Sequence, residues 1–472
     1  MLSRSRRGQR GAVVVYLAGM ASVLAMMVLF LYNTGHLSNE KTRLQNTTDA
    51  AAHSVAMLQS RDFNFQAYTN RAIIANQVSI AQAVSLVSWV RFIDKGIKNI
   101  RKYTFWVPYW GAIINAIANV SIQVKTWTES IGSGVVTGIN IVLQGISDSQ
   151  QMMHNAVLLE IPATMINVVR ANDPGVDTGV ITNSALMTQL IAKHRTALTQ
   201  YKPDNVKNRS GSNWKEDKVR MDEFRDVTLR SRDGFSTTRS ETILKVPGFP
   251  LRFKLEKAGG TELTSSNSNA PYYTWAAMDT LSYHDSTFKC GWSGCGWSSY
   301  KERIPLGWGA AQTGDTIYYS KMRGSNFGKT WKTNKIASTL DAREFQRASE
   351  VGSFSGLRPF MDITQKGLLD TLPAMVVILD KPEGGRGIKT ARDVGFGKAG
   401  TRIDVQKKGG MANNRLHAMA KAEAYFSRPN DLWNRRQGGR EYGNVYNPFW
   451  QPRLAKIDTT ERAAAMLLAN IR

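Results

Sequence analysis

The residues able to do chemistry in this 472-residue chain are few and scattered. Six histidines, His36, His53, His154, His194, His284 and His417, form no His-x-x-x-His or His-Glu-x-x-His pair, so their spacing names no zinc hydrolase. No Gly-x-x-x-x-Gly-Lys-Ser/Thr phosphate loop occurs. Gly352-Ser353-Phe354-Ser355-Gly356 puts its serines at the wrong places for a nucleophile elbow. The carboxylate pairs Glu216-Asp217 and Asp222-Glu223 lie in a charged stretch, where a solvated face is the plain reading. The expectation is a non-enzymatic chain, with no catalytic, cofactor-binding or metal-ligating residue. A hydrolase without a familiar motif is the distant alternative.

The two cysteines, Cys290 and Cys295, flank Gly291-Trp292-Ser293-Gly294. A structural metal would want four ligands, and no histidine follows closely. A thioredoxin-like redox pair would have two intervening residues, and here there are four. In an oxidising compartment the pair reads as a local disulfide closing a glycine-rich loop. Two free buried thiols are the alternative.

The compartment follows from the N-terminus. Arg4, Arg6, Arg7 and Arg10 precede an uncharged apolar run from Ala12 to Tyr32. As a helix, those 21 residues would reach about 31 Å, the thickness of a bilayer's hydrocarbon core. The run is apolar on every side, and Tyr32 sits where an interfacial aromatic would. A cleaved signal would have a shorter apolar core and a small-x-small site, which Asn33-Thr34-Gly35-His36-Leu37 does not offer. The arginines keep the N-terminus cytoplasmic by the positive-inside rule, so the residues from about Thr34 onward lie outside the cytoplasm.

Beyond the anchor, Leu37, Leu44, Ala51 and Leu58 recur every seven residues, with Thr48 and Val55 between them. This is a helical stripe, able to pair within the chain or with a second copy. The stretch Arg7-Gly8-Gln9-Arg10-Gly11-Ala12-Val13-Val14-Val15, the anchor, and Thr42-Arg43-Leu44-Gln45-Asn46-Thr47-Thr48-Asp49-Ala50-Ala51-Ala52 together resemble the N-terminal segment of TadE/TadG-like proteins of Flp (tight-adherence, Tad) pilus assembly. The resemblance covers about residues 1–55. It implies a membrane-anchored assembly component, with the inner membrane and other pilus or secretion-system proteins as partners. Neither Tyr16 nor Val13 supplies the glutamate that follows a prepilin cleavage site, which points to an uncleaved protein. The von Willebrand A metal motif of some relatives is missing after Met375-Val376-Val377-Ile378-Leu379-Asp380, so no metal site is carried over.

The elements needed to position these features predict an α+β chain: residues 1–11 cytoplasmic and basic, 12–32 transmembrane, 33–200 a helical stalk or bundle, 201–240 a polar linker, and 241–472 a β-rich extracytoplasmic domain. Within 33–200, helices are expected at about 68–96, 113–127 and 139–169, broken by Gly132, Gly134 and Gly138. The uncharged stretches 103–124 and 130–147 read as core or surface-lying helices, with Phe105-Trp106-Val107-Pro108-Tyr109-Trp110 suited to a membrane interface. Strands are expected at 243–246, 251–255, 272–275 and 316–319, and a basic loop at 386–414. Two closing helices are expected, one at about Met411–Tyr425 and one capped by Thr459 or Thr460. The net charge of +24 divides into +8 over residues 1–200 and +16 over 201–472. A basic surface carrying Trp308, Tyr318, Tyr319, Lys321, Arg323, Trp331 and Lys332 suits an anionic envelope polymer, DNA or polysaccharide, as a second kind of partner.

Overall fold

The computed structural model describes residues 8–104, 110–178, 185–247, 252–265, 267, 269–292, 294–315, 332–345, 350–364, 374–382, 415–428 and 443–470. The expected strand at 316–319 and the basic loop at 386–414 lie outside them. So do Arg4, Arg6 and Arg7, and residues 105–109 of the aromatic cluster.

The chain is a mix of long helices and antiparallel sheets. Helix α1 runs unbroken over Gly8–Thr104, a span without a proline. Helix α2 covers Trp110–Asn172, with Pro162 inside it. The expected breaks at Gly132, Gly134 and Gly138 do not occur. At Gly132 a Cβ would stand 3.0 Å from the Val87 side chain, so glycine there lets α2 come close to α1. That packing offsets glycine's helix penalty of about 1 kcal/mol.

Contacts divide the chain into two units whose pieces alternate in sequence, unlike the consecutive domains read above. One holds residues 1–67, 152–199 and 363–472; the other holds 68–151 and 200–362.

In the first unit, α3 (Ala185–Ala197) joins parts of α1 and α2. A three-stranded antiparallel sheet is ordered β11-β10-β9, from β9 (Met375–Pro382), β10 (Arg415–Phe426) and β11 (Trp450–Ala455). Strand β10 corrects the expected helix at Met411–Tyr425. Its alanines favour a helix, but Leu416, Ala418, Ala420, Ala422 and Ala424 are buried on every second residue. That period of two fits one face of a sheet, and the tertiary setting overrides propensity. The closing helix expected at Glu461–Ile471 is present as α7 (Thr459–Asn470), which begins two residues earlier. Asp458 is its cap: its carbonyl accepts from Arg462 N–H, and its own N–H donates to Glu461 Oε2 at 3.0 Å.

In the second unit, β2 (Arg239–Val246), β3 (Arg252–Thr264), β4 (Thr274–Ser286) and β7 (Lys301–Gly314) form an antiparallel sheet in that order. The second half of α1 lies on it. Trp275 Nε1 donates to Gln77 Oε1 at 2.9 Å, and the Ser85 and Thr261 hydroxyls are 2.6 Å apart. Residues 201–240, read as a polar linker, instead hold α4 (Pro203–Asn208) and α5 (Trp214–Arg230). Helix α5 buries only Met221 and Phe224 as apolar anchors, with Phe224 stacked on Phe360 at 4.2 Å. So small an apolar face left little periodic trace. Helix α6 (Lys335–Phe345) packs on β7. Two short pairs complete the description: β1 (Leu198–Tyr201) with β8 (Phe360–Ile363), and β5 (Phe288–Gly291) with β6 (Gly294–Trp297).

Candidate membrane anchor and its junction with the folded chain

The start of α1 turns its apolar side chains outward. Val14, Leu17, Leu24, Phe30 and Leu31 are all more than half exposed. The most apolar stretch of this helix has a mean hydropathy of 2.4 and nothing covering it, and it is long and apolar enough to cross a membrane. In water, each such side chain left uncovered forgoes about 1.5–3 kcal/mol of burial. The hydroxyls of Ser22 in the run and of Thr34 just past it are satisfied by the helix itself: Ser22 donates to Gly19 O at 2.7 Å and Thr34 to Phe30 O at 2.8 Å. A hydrocarbon environment demands that arrangement. Tyr32, exposed at the end of the run, stacks on His36 with ring centres 6.2 Å apart. Ala12 and Arg10 lie in the first turns of the helix.

A few residues further on, the same helix becomes core. Leu44, Ala51, Ala52, Val55 and Ala56 are fully buried, as is Thr48. They belong to one cluster with Val157, Ile161, Met165 and Val169 of α2, Leu190 of α3, and the inward faces of β9 and β10. Leu37 and Leu58 pack at its margin. The stripe at seven-residue spacing is therefore covered within the chain, and the basis for homo-oligomerisation through it is lost. The small residues serve close approach, since Ala51 and Ala52 share this core with Ala418, Ala420 and Ala422 of β10. Gln45 Nε2 donates to Met419 O of β10 and to Asp49 Oδ1, both at 2.9 Å. Thr47 and Thr48 donate to the carbonyls of Arg43 and Leu44 one turn back, at 2.8 and 2.7 Å, so hydroxyls stand at buried positions without cost in unmet bonds.

Residues 11–58 match the Flp pilus-assembly TadE/G-like family. The TadE/G-like segment thus spans the exposed apolar helix and the buried small-residue helix that follows it. No curated protein and no solved structure matches the chain. The match supports a role as a Tad pilus component. It also gives the motif a physical reading: Leu44-Gln45-Asn46-Thr47-Thr48-Asp49-Ala50-Ala51-Ala52 docks the continuation of the apolar helix onto a sheet. Enlarging Ala52 to leucine should overpack that junction and cost about 1–3 kcal/mol, read as a lowered denaturation midpoint of the purified chain in detergent.

The other residues singled out from the sequence lie elsewhere. Cys290 and Cys295 face each other across the β5–β6 hairpin and are disulfide-bonded, with Trp292 fully exposed at its tip. Trp308, expected on a polymer-binding surface, is buried; its Nε1 donates to Glu344 Oε2 at 3.0 Å and Lys95 lies 4.8 Å over its ring. Lys332 is exposed. Tyr318, Tyr319, Lys321, Arg323 and Trp331 lie outside the described residues. The sequence reading missed one constellation: Asp62, His154 and His194 converge, although they come from three helices far apart in the chain and no short spacing links them.

Proposed function

We propose that this chain is a non-enzymatic, membrane-anchored component of a Tad (Flp)-type pilus or related envelope secretion machine. In this reading the N-terminus is cytoplasmic, α1 spans a bacterial inner membrane once, and the folded units are periplasmic. The anchor holds them at the membrane, and the TadE/G-like helix couples the anchor to the sheet of the first unit.

The observation that carries the assembly role is the uncovered face of α2. Ile113, Ile117, Val120, Val124, Trp127 and Ile131 follow each other in four- and three-residue steps, and all are exposed. No charge stands on this face. That spacing is the seam of paired helices. The buried face of α2 mixes Ala118, Val136 and Leu143 with polar groups engaged within the second unit: Ser121 with Asp94 at 3.0 Å, Glu129 with Arg91 at 2.6 Å and Ser147 with Pro359 O at 2.6 Å. Those attachments argue against α2 as a second membrane span, because lipid around it would also meet Arg91 and Glu129. The occupant that fits is a helix of another assembly protein with an apolar stripe of the same spacing. Val124→Glu with Ile131→Glu, made in the encoding organism, should abolish pilus assembly while the protein stays in the membrane fraction at its normal level. Normal piliation by that variant would remove the support for this reading.

A second reading, an adhesion module for DNA or an anionic polysaccharide, draws on the +16 charge of residues 201–472. Burial of Trp308 takes one stacking platform from it. Because the two units interleave, the test belongs on the whole chain: polymer binding should weaken steeply with salt, as counterion release requires.

A further inference from the structure

Asp62 of α1, His154 of α2 and His194 of α3 meet inside the first unit, and all three are buried. Asp62 Oδ2 stands 2.7 Å from His154 Nδ1 and 3.0 Å from His194 Nε2. One donor atom from each residue, two nitrogens and one oxygen, falls within 4.8 Å of the others. Zinc bonds to imidazole nitrogen and carboxylate oxygen are about 2.0–2.2 Å, so two ligands of one ion sit about 3–3.5 Å apart. The two Asp–His separations stand at or just under that spacing and all three donors lie within 4.8 Å of one another, so small side-chain shifts would seat an ion. We propose that Asp62, His154 and His194 form a binding site for one divalent transition-metal ion of the zinc class, which cross-links three helices beside the TadE/G-like segment.

The simpler account is a hydrogen-bonded polar knot. It satisfies Asp62, which accepts from both imidazoles at Oδ2 and from Gln66 Nε2 at Oδ1, at 2.9 Å. An ion held at His154 Nδ1 and His194 Nε2 would leave the outer nitrogens, His154 Nε2 and His194 Nδ1, as they are: buried and with no hydrogen-bond partner among the described residues. What the ion adds is one centre bonded to all three residues, where the knot joins each histidine to Asp62 alone.

The donor chemistry points the same way. Phe63 closes the site on one side, 5.7 Å from the His194 ring and 5.0 Å from Trp450. A two-nitrogen, one-oxygen set is the borderline donor class that suits zinc and its neighbours and not calcium or magnesium. Gln66 supplies the outer hydrogen bond that orients a ligating carboxylate. Three protein donors leave the fourth position of a tetrahedral ion to a water molecule, and because the donors are buried the ion's binding energy adds to folding.

The test uses the full chain in detergent micelles, stripped with a chelator and then titrated with Zn²⁺ or Co²⁺. The expected result is about one ion per chain retained through gel filtration, with a higher unfolding midpoint than the stripped protein. His154→Gln and His194→Gln should each lose the retained ion. Since either change removes a buried side chain, the comparison of stripped and loaded wild-type protein stands alone. A folded wild-type chain that retains no stoichiometric Zn²⁺ or Co²⁺ and unfolds at the same midpoint with or without them would overturn the proposal. Unchanged stoichiometry in both variants would do so as well.

Discussion

Replacing Lys381 with methionine should destabilise the chain by about 3–5 kcal/mol. Lys381 is the last residue but one of β9, with its side chain 2 % exposed. Its ammonium donates to Asp173 Oδ2 at 2.8 Å, to Asp173 Oδ1 at 3.1 Å and to Glu40. Asp173 is equally buried, and it also accepts from Gly175 N–H at 3.1 Å in the turn that follows α2. One cation therefore joins a strand, the end of α2 and the part of α1 that emerges from the anchor. Glu40 stands eight residues beyond Tyr32, about 12 Å along the helix, so this knot sits at the root of the folded unit. Methionine preserves the length and removes the charge. Asp173 would keep only the longer, half-exposed contact with Arg43 Nε at 3.7 Å, Glu40 would lose its Lys381 partner, and the poorly compensated burial of Asp173 dominates the loss. The purified variant in detergent should show a lower denaturant midpoint with an unchanged slope. Adding Asp173→Asn should recover a large part of the loss, because the charge that had lost its partner is gone. If the double variant is as unstable as the single one, lost packing and not lost charge is the cause.

What could be read in the sequence was what depends on neighbours along the chain. The apolar run and the stripe at Leu37, Leu44, Ala51 and Leu58 were legible because each is one helix showing one face. The strand at Arg415–Phe426 was not: its composition is that of a helix, and only the alternation at Leu416, Ala418, Ala420, Ala422 and Ala424 shows the sheet. Helix α5 was hidden for the opposite reason. It is charged nearly throughout, is supported by the pairs Lys218–Asp222 and Arg230–Asp226, and holds its place through few buried groups, among them Phe224 and the Arg220–Asp362 ion pair at 3.3 Å. The interleaving of the units was out of reach, because two long helices carry the chain from one to the other and no break in composition marks the passage. The same is true of Asp62, His154 and His194, which the helix packing alone brings together.

Where α1 crosses β7, the largest effect of adding a single methyl group is expected at Gly309. A Cβ there would lie 2.2 Å from Phe92 N, 2.6 Å from Ser88 O and 2.7 Å from Arg91 C. All three are backbone atoms of a helix, so no rotamer change relieves the clash. The helix must move off the strand. The contact continues at Gly307, whose Cβ would approach Gly96 Cα and Phe92 O, both at 3.2 Å. Side chains fasten the crossing: Arg91 Nη1 donates to Ala310 O at 2.8 Å, and Asn99 Nδ2 to Leu306 O at 3.0 Å. The Ser88 hydroxyl lies 3.0 Å from Gly309 O and 2.8 Å from Asp279 Oδ2. Asp279 is wholly buried; burial raises its pKa, with Arg239 at 2.9 Å opposing the shift. Moving α1 therefore strains hydrogen bonds at four positions and disturbs a buried carboxylate. Gly309→Ala should cost at least the 1–3 kcal/mol usual for overpacking, with a lower thermal midpoint and faster proteolysis within 68–151 and 200–362. The same substitution at Gly145, on α2 in the same unit, should have the opposite sign. Nothing lies within 4 Å of its Cβ position, so alanine there gains about 0.5–1 kcal/mol from helix preference alone. Equal effects at the two glycines would mean that the helix and the strand are not in backbone contact at Gly309.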